Sequence, residues 1–199
     1  MITTIQACEE RLEYIQPIAK ELDAIVHVDK RRINAFWSFK DMLDIDVTDY
    51  RLHLQDDVII ADELKTYFSY IENFMYSHNI HLLALFAPSR KSFSREYFLG
   101  KHIVEYRNYL GNMGVVFSKH FVEKMRTYIK ITSQTMDDDI FINEVLSRSS
   151  ITGFAHFPTL VQHDIKLDSL IGHEKDKFYS NLFEKDYITK LNLEKTNGR

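Results

Sequence analysis

The opening of the chain limits its fold more than any other stretch. Ile2 to Gln6 is a short β-branched run, Arg11-Leu12, Ile15, Ile18, Ala19 and Leu22 recur at helical spacing, and Ala24 to Val28 is a second compact apolar run closed by Asp29. Strand, helix and strand in that order predict a parallel α/β sheet with an acid where the second strand stops. Pro17 falls inside the helical pattern, where it lacks an amide proton and either kinks the helix or opens a new first turn.

The same alternation continues. Tyr50 to Leu54 runs into Gln55-Asp56-Asp57, and Asp62 reads as the N-cap of a helix carrying Leu64, Phe68, Ile71 and Met75 on one stripe. Leu82 to Phe86 is a buried-type strand, Ser89 to Phe98 a polar, aromatic-rich loop, and Val104 to Asn108 an extended segment. Gly111 and Gly114 punctuate a turn before Val115-Val116-Phe117, and Ser118 caps a helix through about Lys130. Asp137-Asp138-Asp139 precedes an amphipathic helix with Ile140, Phe141, Val145 and Leu146, and Pro158 separates two strand-like pieces, Thr152 to Phe157 and Thr159 to Gln162. From Asp168 onward the chain is polar and helix-poor, which predicts a tail wrapping the domain. No repeat, low-complexity block or Gly/Ser linker divides the sequence, so residues 1–199 read as one domain with 168–199 as its tail.

Composition narrows the partners. A chain of 199 residues closes a hydrophobic core without staples, and 25 Lys and Arg against 29 Asp and Glu leave a net charge of −4. No global positive field draws such a protein to nucleic acid, so a polyanion must meet a local patch such as Arg31 and Arg32, Arg90 and Lys91, or Lys175 and Lys177. Cys8 is the single cysteine, the amino terminus has no signal-peptide pattern, and no stretch reaches the roughly 20 apolar residues of a membrane helix. A soluble, cytoplasmic setting is the expectation.

Asp56-Asp57 after a buried strand is the most informative chemical feature, because open α/β sheets bind ligands beyond the carboxyl ends of their strands. Two hard carboxylates there suit Mg²⁺ or Mn²⁺ bridging the oxygens of a diphosphate. A solvated turn or helix cap uses the same dipeptide. His163 is a borderline ligand favouring Mn²⁺ if it reaches the same ion, and a structural histidine otherwise. Asp137, Asp138 and Asp139 either complement a helix dipole or include a general base aimed at an acceptor hydroxyl. No Walker or dinucleotide glycine motif is present, and neither Ser69 nor Cys8 has a catalytic partner at recognisable spacing.

In their order along the chain these pieces resemble GT-A glycosyltransferases: the first strand with Arg11 on the next helix, Val28-Asp29, Leu54-Gln55-Asp56-Asp57-Val58 as a DXD-like element, Gly111 to Phe117, the triple Asp, and Pro158-Thr159-Leu160-Val161-Gln162-His163. The last segment, followed by Ser169-Leu170-Ile171-Gly172-His173, is similar to the carboxyl-terminal part of small phage and bacterial transferases, including those that glycosylate or arabinosylate hydroxymethylcytosine in T-even-like phage DNA. The resemblance implies one Rossmann-like GT-A domain with a mixed, mostly parallel sheet flanked by helices. It implies Asp57 and His163 on Mn²⁺ or Mg²⁺, Asp56 on ribose or metal, and Gln55 in the first DXD place beside the nucleotide. Ala7 and Arg11 would flank the base and phosphates, Asp29 the uridine or ribose, and Asp138 or Asp139 would be the base of an inverting reaction. The donor would be a UDP-sugar and the first acceptor modified double-stranded DNA. The chain departs from the pattern in reading Gln-Asp-Asp where Asp-X-Asp is usual. A transferase of bacterial surface glycan and a non-catalytic binding module are the competing readings.

Overall fold

A computed structural model describes residues 1–30, 35–89, 91, 93–99, 102–106, 109, 111–131, 136–167 and 179–197. The opening unit forms as expected: β1 (Ile2–Ala7), a 3-10 turn at Glu9–Arg11, α1 (Leu12–Leu22) and β2 (Ile25–Val28). α1 runs through Pro17 and ends at Asp23 in the left-handed conformation. There follow α2 (Ala35–Leu43), β3 (Tyr50–Gln55), β4 (Val58–Ile60), a second 3-10 turn at Leu64–Tyr67, α3 (Phe68–Ser77) and β5 (Leu82–Ala84). The second half supplies β6 (Phe93–Leu99), β7 (Ile103–Tyr106), β8 (Gly114–Ser118), α4 (Lys119–Ile131), α5 (Asp138–Ser149), β9 (Gly153–His156), β10 (Val161–His163) and α6 (Tyr187–Asn197).

Eight strands form one sheet in the order β2-β1-β3-β8-β5-β9-β7-β6, and β4 pairs with β10 in a second, two-stranded sheet. Tracing directions through the pairings, β8 and β7 run against the other strands of the large sheet. The sheet is therefore mixed, with most strands parallel in direction. Period-two alternation sorts side chains to two faces. Ile5, Leu52, Leu54 and Val116 pack with Ile15 of α1, Ile71 and Met75 of α3 and Ile188 of α6. On the other face Leu82, Val115 and Phe117 pack with Phe39 of α2, Phe121 and Met125 of α4 and Phe141 and Val145 of α5.

Several local expectations are corrected. Asp62 is not a helix cap: its amide donates to the Lys185 carbonyl, and Leu64 to Tyr67 form the tighter 3-10 turn before α3 begins. Residues 93–99, read as loop, are an edge strand pairing with β7, since an aromatic-rich segment gains ladder hydrogen bonds once β7 lies beside it. Ile140 faces outward while Phe141 and Val145 face the core. The tail contains α6, docked through buried Tyr187 and Ile188, a tertiary contact that lends a weakly patterned segment its helix. Ser118 does cap α4, accepting the Phe121 amide at 3.2 Å. The segment Ser169 to His173 and the basic residues Arg31, Arg32, Arg90, Lys175 and Lys177 lie outside the described residues.

Candidate active site

The carboxyl ends of β1, β2 and β3 share one edge, because the three strands are parallel and jointly in register from Thr4 to Gln6. Ala7 ends β1 and is buried, its carbonyl accepting the Asp29 amide at 2.8 Å, so these two predicted nucleotide-binding positions adjoin at the strand ends. β8 runs oppositely and begins there, Gly114 standing opposite Leu54. The loop before β8 and the start of α5 thus come to the same edge as Gln55, Asp56 and Asp57.

After β3 the chain turns at Asp56-Asp57 and enters β4, which pairs antiparallel with β10 so that Val58 faces His163 across the ladder. That pairing carries His163 from far along the chain to Asp57: Nε2 lies 3.3 Å from Asp57 Oδ2. Gly114 permits it, for a Cβ built there would lie 2.7 Å from Val161 Cγ2. The Asp164 amide donates to the Asp57 carbonyl at 2.7 Å, and the Tyr14 hydroxyl donates to Asp164 Oδ2 at 2.7 Å, fixing the chain beyond His163.

Arg11 is buried at the centre. Its Nη1 lies 2.8 Å from Asp56 Oδ1 and 3.0 Å from Asp57 Oδ2. The Cys8 amide donates to the other Asp56 oxygen at 2.7 Å. Burial alone would raise the Asp57 carboxyl, but the hydrogen bond and charge of His163, together with Arg11, outweigh it and hold the group below the usual carboxylate range. Burial and the neighbouring Asp56 push the Cys8 thiol up to about 12, so it is no nucleophile at neutral pH.

The three consecutive acids part company. Asp137 is exposed and precedes α5 without capping it through its side chain. Asp139 Oδ2 accepts the Gly111 amide at 3.3 Å, and its Oδ1 accepts the Ile140 amide at 2.7 Å. Asp138 is buried, with Gln55 Nε2 at 3.4 Å and Asn112 Nδ2 at 3.0 Å from its Oδ2. Burial raises the Asp138 carboxyl to about 6, with the hydrogen bond from Asn112 opposing and the charge of Asp139 adding to the rise. Asp138 is thus the acid joined, through Gln55, to the end of the strand that leads into Asp56 and Asp57, while Asp139 holds the Gly111 loop. Asn112 was not anticipated as more than part of a tight turn, and Asp164 and Tyr14 carry no signal in the sequence beyond nearness to His163 and Arg11.

Asp57 Oδ1 is buried and accepts no hydrogen bond within the described residues. A carboxylate oxygen so placed, beside an imidazole, fits a divalent ion of the Mg²⁺ or Mn²⁺ kind, which takes few protein ligands and completes its shell with phosphate oxygens and water. No cluster of three His, Cys, Asp or Glu side chains suited to a metal occurs among the described residues, so the protein alone offers no closed cage. Cavity size does not mark the site: a cavity of about 470 Å³ lined by Ile2, Asp46, Val47, Lys119 and Arg126 lies at the amino end of β1, away from this edge.

No protein-family model matches the sequence, and no curated protein matches it as a relative. Among solved structures, A197 from STIV superposes with a TM-score of 0.53 at 17% identity, covering 82% of this chain and 85% of that one. A glycosyltransferase involved in the glycosylation of the major capsid of PBCV-1 superposes with a TM-score of 0.50 at 11% identity, covering 96% of this chain and 100% of that one. The fold is GT-A-like. At such identities the likeness concerns architecture, and within a GT-A-like sheet the Asp56-Asp57 turn lies where open α/β sheets take their ligands. No helix among the described residues is long and apolar enough to cross a membrane.

Proposed function

We propose that this GT-A-like protein is a metal-dependent glycosyltransferase that moves a sugar from a UDP-sugar to a hydroxyl acceptor with inversion. The observation that carries the reading is the meeting of Asp57 and His163 at the carboxyl edge of the sheet, with a buried Asp57 oxygen that has no donor among the described residues. Asp57 and His163 would hold a divalent ion, and such an ion would supply positive charge for a diphosphate leaving group. Arg11 lies within reach of the same acids and offers its guanidinium to the phosphates. Ala7, Asp29, Gln55 and Asp56 line the strand ends where the uridine and ribose sit.

Asp138 is the base. The acceptor oxygen forms a bond to the anomeric carbon, the carbon–oxygen bond to the diphosphate breaks with its electron pair going to the phosphate, and the acceptor proton passes to the Asp138 carboxylate. A carboxyl raised to about 6 is largely ionised at neutral pH yet more basic than an ordinary aspartate, which is what proton abstraction from a hydroxyl needs. Hydroxymethylated cytosine in DNA is the first acceptor to test, on the strength of the sequence resemblance from Pro158 to His163, with surface glycan beside it.

Incubation with a panel of UDP-sugars and Mn²⁺, each with hydroxymethylated DNA or glycan, tests the proposal by mass spectrometry of donor and acceptor. Transfer that disappears in a folded Asp57→Ala protein supports it. Full transfer by that variant, or no consumption of any UDP-sugar by the natural chain, removes it.

A further inference from the structure

We infer that Asn112 and Tyr109 form a buried clamp that orients the Asp138 carboxylate, making both positioning residues for the proton-accepting step. The inference rests on the reading of Asp138 as the base. Asn112 is 1% exposed and Tyr109 equally so, which is unusual for an amide and a phenol unless each is fully engaged. Asn112 Nδ2 donates to Asp138 Oδ2 at 3.0 Å, and the Tyr109 hydroxyl donates to Asn112 Oδ1 at 2.8 Å. The ionised carboxylate can only accept and so draws the amide's N–H₂ to itself, and the phenol, donating to the amide oxygen, holds that orientation in place.

The clamp is anchored to the helix that bears its target. Asn143 of α5 accepts the Tyr109 amide at 3.0 Å and donates to the Tyr109 carbonyl at 2.6 Å, and Asp139 accepts the Gly111 amide at 3.3 Å. Loop and helix are thereby tied at both Asn143 and Asp139. Gly111 is at φ +73°, a backbone conformation that favours glycine and turns the loop back to bring Asn112 under Asp138.

The clamp also chooses an oxygen. An ionised carboxylate offers about four lone-pair sites. Among the described residues, Asp138 Oδ2 receives the amides of Asn112 at 3.0 Å and Gln55 at 3.4 Å, while Oδ1 receives only the Asp139 backbone amide at 2.9 Å. The remaining lone pair lies on Oδ1, and that oxygen takes the acceptor's proton. Among the described residues, the charged or titratable groups facing Asp138 are Asp137 just before its helix, Asp139 on it and Tyr109 from the loop; Asn112 and Gln55 are neutral amides.

Carboxyl-carbon NMR of aspartate-labelled protein, titrated from pH 4 to 8, tests the clamp without any need for turnover. In Asn112→Leu, which keeps the shape and removes the donor, the Asp138 midpoint is expected to rise by about one unit. Tyr109→Phe removes only the hydroxyl bonded to the amide oxygen, loosens the amide against the carboxylate, and shifts the midpoint upward by less; it serves if the leucine variant fails to fold. Where transfer is measured, the acid limb of the pH–kcat/KM profile, which reports the free enzyme, moves with the NMR midpoint. An unmoved Asp138 midpoint in folded Tyr109→Phe and Asn112→Leu overturns the clamp. Absence of transfer by the natural chain, with the midpoint still moving, instead overturns the reading of Asp138 as a catalytic base.

Discussion

Replacing Asp138 by asparagine separates a functional carboxylate from a merely structural one, because burial gives the group a cost that the amide lacks. The carboxyl rises from an ordinary 3.8 to about 6 on folding. A folded value above the unfolded one means that stabilisation by the bound proton is complete below the unfolded value and is lost as pH rises through the folded one. About two units at 1.36 kcal/mol each amount to about 3 kcal/mol lost by neutral pH. The amide in Asp138→Asn never ionises, so the difference in stability between that variant and the natural chain should grow in favour of the variant by about 2 kcal/mol between pH 4.5 and 8. At about 2 to 4 °C per kcal/mol for a chain of this size, the melting temperatures should diverge by roughly 4–8 °C over that range. Any hydrogen bond the amide makes badly adds an offset that does not change with pH. Urea unfolding followed by fluorescence of Trp37 at several pH values reads the trend, and transfer assays should show the same variant slowed by about 10²–10⁴-fold. A stability difference that stays flat from pH 4.5 to 8 would refute the buried, raised carboxylate and the base role built on it.

Two other substitutions probe the site's construction. Arg11→Met leaves Asp56 and Asp57 without their shared counter-charge, which should lower stability by roughly 2–4 kcal/mol in chelator, with Mn²⁺ restoring part of the loss; urea melts with and without the ion check this. Gly114→Ala sets a methyl 2.7 Å from Val161 Cγ2 and should cost about 1–3 kcal/mol while loosening β10, read as a lower melting temperature and weaker Mn²⁺ binding through the displaced His163.

Three strands of the first half were legible because they are short, uninterrupted apolar runs with acids falling where those runs stop, whereas α2 and β4 were not expected. Ile2 to Ala7, Ile25 to Val28 and Tyr50 to Gln55 all form strands close to their expected bounds. Residues 93–99 and α6 were not legible, since each depends on a partner distant in sequence: β7 for the strand, and the core around Tyr187 and Ile188 for the helix. The pairing of Asp57 with His163 came from family resemblance and not from spacing, as no local pattern records that β4 and β10 will meet. The three acids at 137–139 were indistinguishable in sequence. Only the loop carrying Asn112, folded onto α5, buries Asp138 and leaves Asp137 exposed.

Titration calorimetry of Mn²⁺ in the presence of UDP, comparing the natural chain with Asp57→Asn and His163→Ala, tests the account most directly. One ion per chain, bound tightly only with UDP present and weakened at least tenfold by either substitution, is the expected result. Equal Mn²⁺ binding by all three proteins, or none by the natural chain with UDP, contradicts it.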